Sequence, residues 1–277
     1  MDSRYIAVFI LTLLTPLLFL LLLLDKHPSP HTKRREIGTW SPSDVDVFIQ
    51  GIQHLKSTGA YDRLTNLHGN QTLFPLVHRT VYFLPWHRWL ILEMEKEIQS
   101  LGKPYKSFRL PYWDWLDAPT LPEMAGGYGK APTYCVRDGP WANWTTTTGK
   151  CLVRRKDPTI QLWSQDSVCS LFRQHASYGS SNNFSLAFEN GPHAQVHLSV
   201  GGNMETQASP DDPLFWMHHA FVDALWTAWQ TSHPHASFDP STIDTVMPGT
   251  PGITPRQMIS RKIPFERSRP LCGETFW

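Results

Sequence analysis

Two groups of histidines in this 277-residue chain have spacing that could do chemistry. The first is His68, His78 and His87, the last of them inside Phe83-Leu84-Pro85-Trp86-His87-Arg88. The second opens with Glu189-Asn190-Gly191-Pro192-His193-Ala194-Gln195-Val196-His197 and continues in Asp212-Pro213-Leu214-Phe215-Trp216-Met217-His218-His219. His193 and His197 are four residues apart, so a helix puts both imidazoles on one face. Neutral imidazole suits copper, zinc, iron and nickel. Zinc enzymes tend to hold a single metal with three protein ligands and one open position. Two all-imidazole triads facing each other suit a pair of coppers that cycles between Cu(I) and Cu(II). Each histidine alone could be an ordinary core residue of an aromatic-rich protein. The ordered set points to metal.

Helices must position these groups. His78 and His87 are nine apart, and on one continuous helix nine residues turn about 180°. The chain therefore has to turn between them, and Pro85 is expected to make that turn at the entry to a helix running from His87 to Gln99. Ser41 can cap an earlier helix with Pro42 at its first position and Val45, Phe48, Ile49 and Ile52 at helical spacing. His54 sits on that helix and reads as a structural or exposed residue. A further helix is expected around Phe184 to Val200, and another from the Ser209-Pro210-Asp211-Asp212-Pro213 cluster to about Gln230. Residues 117–160 read as a long irregular excursion covering part of a helical core, and the tail after Ser232 as mostly loop. No internal repeat is present.

The hydrophobic fraction of 41% and charged fraction of 18% allow a packed core and argue against wholesale disorder. The 25 Lys plus Arg balance 24 Asp plus Glu, so no nucleic-acid partner is expected. Tyr5 to Leu24 carries no charge and reaches about 30 Å as a helix, enough to span a bilayer core. The expected division is a short flank at 1–4, a transmembrane anchor at 5–24, a linker at 25–38 and one domain at 39–277. Lys26, Lys33, Arg34 and Arg35 would place the body in the cytosol by the positive-inside rule. The sequons at Asn70, Asn143 and Asn183 argue for a glycoprotein with a lumenal or extracellular body in the secretory pathway, which is the reading adopted. Cys135, Cys151, Cys169 and Cys272 read as two disulfides, with three pairings open. Lys33-Arg34-Arg35 reads equally as a dibasic processing site or a solvated linker.

The stretches His78-x8-His87-Arg88, Leu110-Pro111-Tyr112-Trp113-Asp114-Trp115, His193-x3-His197 with Val200-Gly201-Gly202-Asn203-Met204, and Asp212-Pro213-Leu214-Phe215-Trp216-Met217-His218-His219-x3-Asp223 resemble the tyrosinase family of type-3 copper proteins. The match covers about residues 40–232. The length, the apolar run and the sequons are similar to small membrane-anchored fungal tyrosinase-like proteins of secondary-metabolite pathways. The resemblance implies a mainly α fold whose antiparallel four-helix core holds two copper ions. His68, His78 and His87 would hold one copper, with His54 the fallback for His68, and His193, His197 and His219 the other. It implies an oxidoreductase, a monooxygenase or catechol oxidase, that uses O2 on a phenol or catechol, including Tyr in a peptide. Asp223 would orient an imidazole or hold its helix, Phe215 would pack near the coppers, and Glu189 would position a water or proton.

The sequence departs from the family in having no Cys near His78 and in having Ala194 where many tyrosinases carry Asn, and latency through a large carboxy-terminal shielding domain is not expected. Ala194 cannot hydrogen-bond through its side chain. Weaker oxidation of simple monophenols than of o-diphenols is therefore expected. The rival readings are a haemocyanin-like oxygen binder and a non-catalytic accessory subunit of a biosynthetic pathway.

Overall fold

The computed structural model describes residues 32–174, 181–236 and 238–273. The apolar run Tyr5–Leu24 lies outside the described residues. Among those described, no helix is long and apolar enough to cross a membrane.

The body is mainly helical. Helix α1, Pro42–Ser57, starts as its sequence dictates: the Ser41 side chain accepts a hydrogen bond from the Asp44 amide at 3.2 Å, and Pro42 takes the first position. Phe48, Ile52 and Leu55 are buried on one face. Helix α2, Ala60–His68, packs on α1 and ends at the first site histidine. A short α3, Phe74–Val77, leads to His78, which is extended at φ −108° and ψ 144°. Arg79 then takes the left-handed conformation at φ 56°. The turn between His78 and His87 is made there and not at Pro85.

Helix α4, Phe83–Gln99, begins two residues before that proline. Pro85 thus sits in the first turn, where its missing N–H leaves no bond unmade. Helix α5, Gln165–Gln174, had no expectation attached to it. The helix expected over Phe184 to Val200 is broken into α6, Ser181–Phe188, a π turn over Glu189–His193, and α7, Ala194–Val200. Gly191 is non-helical at φ −95° and ψ −109°, followed by Pro192, which has no N–H to give. Helix α8, Leu214–Ser232, packs along α4. Pro255–Ile259 forms α9, with a capping box from Thr254 and Gln257.

Residues 34–38, expected within a linker, belong to the packed body. Arg34–Arg35 form β1, parallel to β2 at Phe265–Glu266, and Ile37 is buried. The Arg34 side chain is fully buried. A protease needs an accessible, extended recognition segment, so the folded body does not present Lys33-Arg34-Arg35 as a processing site.

Residues 117–160 are irregular, as expected, and are tied down at several points. The disulfides pair Cys135 with Cys151 and Cys169 with Cys272. Arg154 pairs with both oxygens of Asp212, at 2.6 and 2.7 Å, and also donates to the Ala125 carbonyl. Trp144 is a further anchor of this segment, and two other buried tryptophans tie down other parts of the body, since an indole carries one donor to satisfy. Trp86 donates to the Pro248 carbonyl, Trp144 to that of Asp211, and Trp216 to the Tyr61 hydroxyl.

Candidate metal centre

The six expected histidines converge from six places in the chain. His68 ends α2, His78 follows α3, and His87 lies in the second turn of α4. His193 closes the π turn, His197 lies on α7 and His219 on α8. In the first set the ring centroids are 4.9 Å apart for His68–His78, 5.4 Å for His68–His87 and 4.9 Å for His78–His87. In the second set they are 4.6 Å for His193–His197, 5.0 Å for His193–His219 and 5.6 Å for His197–His219. The two sets face each other, with His87 and His219 stacked at 4.6 Å. His54 is exposed on α1 and in neither set.

Backbone carbonyls fix the protons. Nδ1 of His68 lies 2.8 Å from the Gln207 oxygen, that of His78 3.1 Å from Phe74, and that of His87 2.8 Å from Phe83. Nδ1 of His193 lies 2.9 Å from the Glu189 oxygen and that of His197 2.7 Å from Met204. A carbonyl only accepts, so each of these Nδ1 atoms carries the proton, and Nε2 presents a bare lone pair in the neutral ring. Nε2 of His87 and of His193 is buried without a hydrogen-bond partner. Nε2 of His197 lies 3.4 Å from Nε2 of His219. Burial, then the mutual repulsion of neighbouring imidazoles where present, holds all six below the usual histidine range, with His78 and His197 each at about 4. They are therefore neutral at pH 7. Buried, bare nitrogens aimed at common points fit a pair of imidazole-loving metal ions.

His218 is the second set's additional nitrogen source, fully buried with neither ring nitrogen hydrogen-bonded. Its ring stacks on His193 at 5.3 Å and lies 6.3 Å from Trp115. His219, one residue on, is the ring that faces the first set.

Phe215 lies between the sets, 5.1 Å from His68 and 4.0 Å from His219. Sequence reasoning missed two companions. Phe74 stacks on His78 at 3.8 Å, and Phe83 lies 4.7 Å from both His87 and His193. Each of these phenylalanines precedes a site histidine by four residues, and that repeated spacing was the available signal.

Glu189 is buried beside the second set. Its Oε2 accepts the Arg79 amide at 2.6 Å, while its backbone oxygen takes the His193 proton. Burial pushes its carboxyl up to about 7, against the opposing pull of Arg79. Asp223 orients no imidazole, because both of its oxygens are taken by arginines: Oδ1 by Arg88 and Oδ2 by Arg34. Ala194 is half-buried on the solvent side of α7.

Residues 58–232 match the family model described as the common central domain of tyrosinase. The chain belongs to the tyrosinase family. It is 34% identical over 257 residues to a tyrosinase of Streptomyces glaucescens, covering 80% of this chain and 89% of that protein. It is 29% identical over 276 residues to Tyrosinase P of Aspergillus terreus, covering 71% of this chain and 75% of that protein. Its fold matches a polyphenol oxidase (mutant G292N) from Thermothelomyces thermophila with a TM-score of 0.61 at 24% identity, covering 84% and 80% of the two chains. The family is one of binuclear copper proteins, and the two histidine sets fit two copper ions. The protein is a copper-dependent phenol oxidoreductase.

Proposed function

We propose that His68, His78 and His87 hold one copper ion and His193, His197 and His219 the other, and that the preferred substrates are o-diphenols. The observation that carries the ligand assignment is the pairing of five Nδ1 protons with backbone carbonyls. It leaves the Nε2 atoms bare and turned inward. When bound, the copper pair exchanges electrons with O2, so that two catechols give two o-quinones while one O2 becomes two waters. The protein's own residues position the ring and keep water out. Phe215, Phe83 and Phe74 pack against the histidine rings, and Glu189 holds or releases a proton near neutral pH.

Preference for o-diphenols follows from Ala194 and Glu189. Oε2 of Glu189 is occupied by the Arg79 amide, and Ala194 supplies no side-chain partner for a water. A phenol ionises near pH 10 and needs a positioned base. A catechol already carries both oxygens. The same reading includes, among the substrates, a tyrosine carried on a peptide or another secondary-metabolite precursor.

The same reading takes 39–277 as one catalytic domain extended at its N-terminal side to Arg34, with α2, α4, α7 and α8 as an antiparallel core. It keeps an anchor at 5–24 and a lumenal or extracellular body glycosylated at Asn70, Asn143 and Asn183.

The test is metal analysis joined to oxygen uptake on 4-methylcatechol and 4-methylphenol. Two coppers per chain and faster uptake with the catechol are expected, with copper lost in His87→Ala and His219→Ala. Stoichiometric zinc from copper-replete cells with no oxygen uptake would overturn the assignment.

A further inference from the structure

A cavity of about 230 Å³ opens between the first turn of α4, the end of α8 and the loop that follows α8. None of the six site histidines lines it, although Leu84 and Pro85 of its wall lie between Phe83 and His87 in the chain. Its size suits one aromatic ring, since an apolar cavity of about 150 Å³ already takes benzene. Trp226, Trp229 and Phe238 supply aromatic wall, and no lining residue carries a charge.

Apart from the indoles, three polar side chains line the cavity, and two of them are engaged. Gln230 Oε1 accepts from Arg88 at 3.1 Å, and Gln230 Nε2 donates to the Ile259 carbonyl at 3.4 Å. Ser185 Oγ gives its proton to the Thr80 carbonyl at 3.4 Å. His233 differs. Its ring stacks on Trp229 at 4.8 Å, and its Nδ1 lies 2.9 Å from the Trp229 carbonyl oxygen. That oxygen only accepts, so Nδ1 carries the proton, and Nε2 of the neutral ring keeps a lone pair. Among the described residues the hydrogen bonds of His233's ring all run through Nδ1, and none reaches Nε2. A well-held water needs two to four polar partners, which rings and aliphatic carbons do not provide. A ring bearing one hydroxyl group matches this lining: its carbons meet the apolar wall and its hydroxyl donates to the one open acceptor.

We propose that this cavity is a second binding site, separate from the histidine centre, for a neutral single-ring aromatic molecule with a hydroxyl group. The ring lies against Leu84, Pro85 and Trp226, and the hydroxyl donates to His233 Nε2. The class includes phenols and aromatic alcohols. An anionic ring is disfavoured, because burying its charge here gains no cationic partner.

The experiment uses copper-loaded protein and fluorine NMR titrations of 4-fluorobenzyl alcohol and 4-fluorotoluene, neither of which has a phenolic oxygen to be oxidised. The alcohol should bind with a Kd of about 0.1–1 mM. It should bind more tightly than the toluene by about two- to tenfold, the worth of one neutral hydrogen bond. His233→Phe keeps a ring and removes the acceptor, and should bring the two affinities together. Ala236→Phe fills the cavity and should abolish binding of both. Removing copper with a chelator should leave the alcohol's affinity unchanged. Affinities unaltered in Ala236→Phe overturn the proposal, as does an alcohol preference that survives His233→Phe. An affinity lost with the metal also overturns it, since the molecule then sits at the histidines. If Ala236→Phe does not fold, His233→Phe and the copper-free titration decide.

Discussion

Arg34 and Asp223 lie 189 residues apart in the chain and meet at 2.7 Å in a fully dehydrated contact. The other Asp223 oxygen takes Arg88, and Arg34 reaches on to Glu95 at 2.7 Å. This buried network joins β1, α4 and α8, and two of those elements carry site histidines, His87 and His219. The family motif's last acid thus acts on the histidines through the helices that hold them.

Removing one member leaves charges buried without a partner, which typically costs about 3–5 kcal/mol. Asp223→Ala, which leaves Arg88 without a carboxylate and Arg34 with Glu95 alone, should lower the denaturation midpoint strongly and reduce copper retention along with it. Arg34→Ala should do the same, although Arg34 lies outside the residues 58–232 matched to the family domain. Chemical denaturation with metal analysis of the survivors checks both. A midpoint unchanged in Arg34→Ala would show that β1 is dispensable.

Copper-free protein should lose stability as pH falls from 7 to 5. His78 and His197 are each depressed to about 4 by burial. The unfolded chain binds their protons near pH 6.5 and the folded one does not, so the contribution is present above 6.5 and is lost on descent toward 4. At pH 5 each group costs about 2 kcal/mol. Glu189, raised to about 7, works the other way: its penalty at pH 7 is relieved as it protonates, recovering about 2 kcal/mol. The remaining four site histidines are also depressed, so the sum stays negative. Urea midpoints of the chelator-treated protein at the two pH values test this. Copper competes with protons for the same nitrogens, so the loaded protein should gain most at pH 7.

Much of the site was legible in the sequence because helical spacing is a strong signal. The four-residue step from His193 to His197 and the Asp212–Asp223 stretch placed the second set. The turn at His78–Arg79 was not legible, since nothing in the composition marks an arginine for left-handed backbone. Pro85 drew attention to itself, yet proline is at home in a first helical turn and bends nothing there. The break at Gly191-Pro192 was readable and was smoothed over by the regularity of the histidines. Arg34 looked like part of a solvated basic cluster. Only the fold shows that Glu95 and Asp223 wait for it.

Glycosylation is open to a direct check, because Asn70, Asn143 and Asn183 are all exposed. The choice of substitution matters. Oδ1 of Asn70 accepts the Thr72 and Leu73 amides, and Asn143 sits at φ 62°. Replacing either asparagine would disturb its turn. Thr72→Ala and Thr145→Ala remove those sequons and leave the asparagines in place, and Asn183→Gln suits the third. Each should remove one step of the mobility shift seen on endoglycosidase treatment. A body with no glycan that is reached by cytosolic protease would show the opposite orientation.

The balance between monophenol and diphenol oxidation should move with Ala194 and Glu189. Ala194 lies one residue after His193 on the solvent side of α7, so an asparagine there can reach a water at the rim without displacing a buried neighbour. Glu189 has one oxygen on the Arg79 amide and is poised to change protonation near pH 7. A water held between them would give a monophenol a base at the point where it needs one, and a positioned base is typically worth about 10²–10⁴ in rate. Ala194→Asn should therefore raise 4-methylphenol turnover more than 4-methylcatechol turnover. The gain should grow as pH rises through 7, because only ionised Glu189 accepts the proton. Glu189→Gln in the Ala194→Asn background should remove both the gain and its pH dependence, since the amide cannot take up a proton in this range. A ratio that ignores Ala194→Asn, or a gain that survives Glu189→Gln, would place the base elsewhere and leave the copper ligands as assigned.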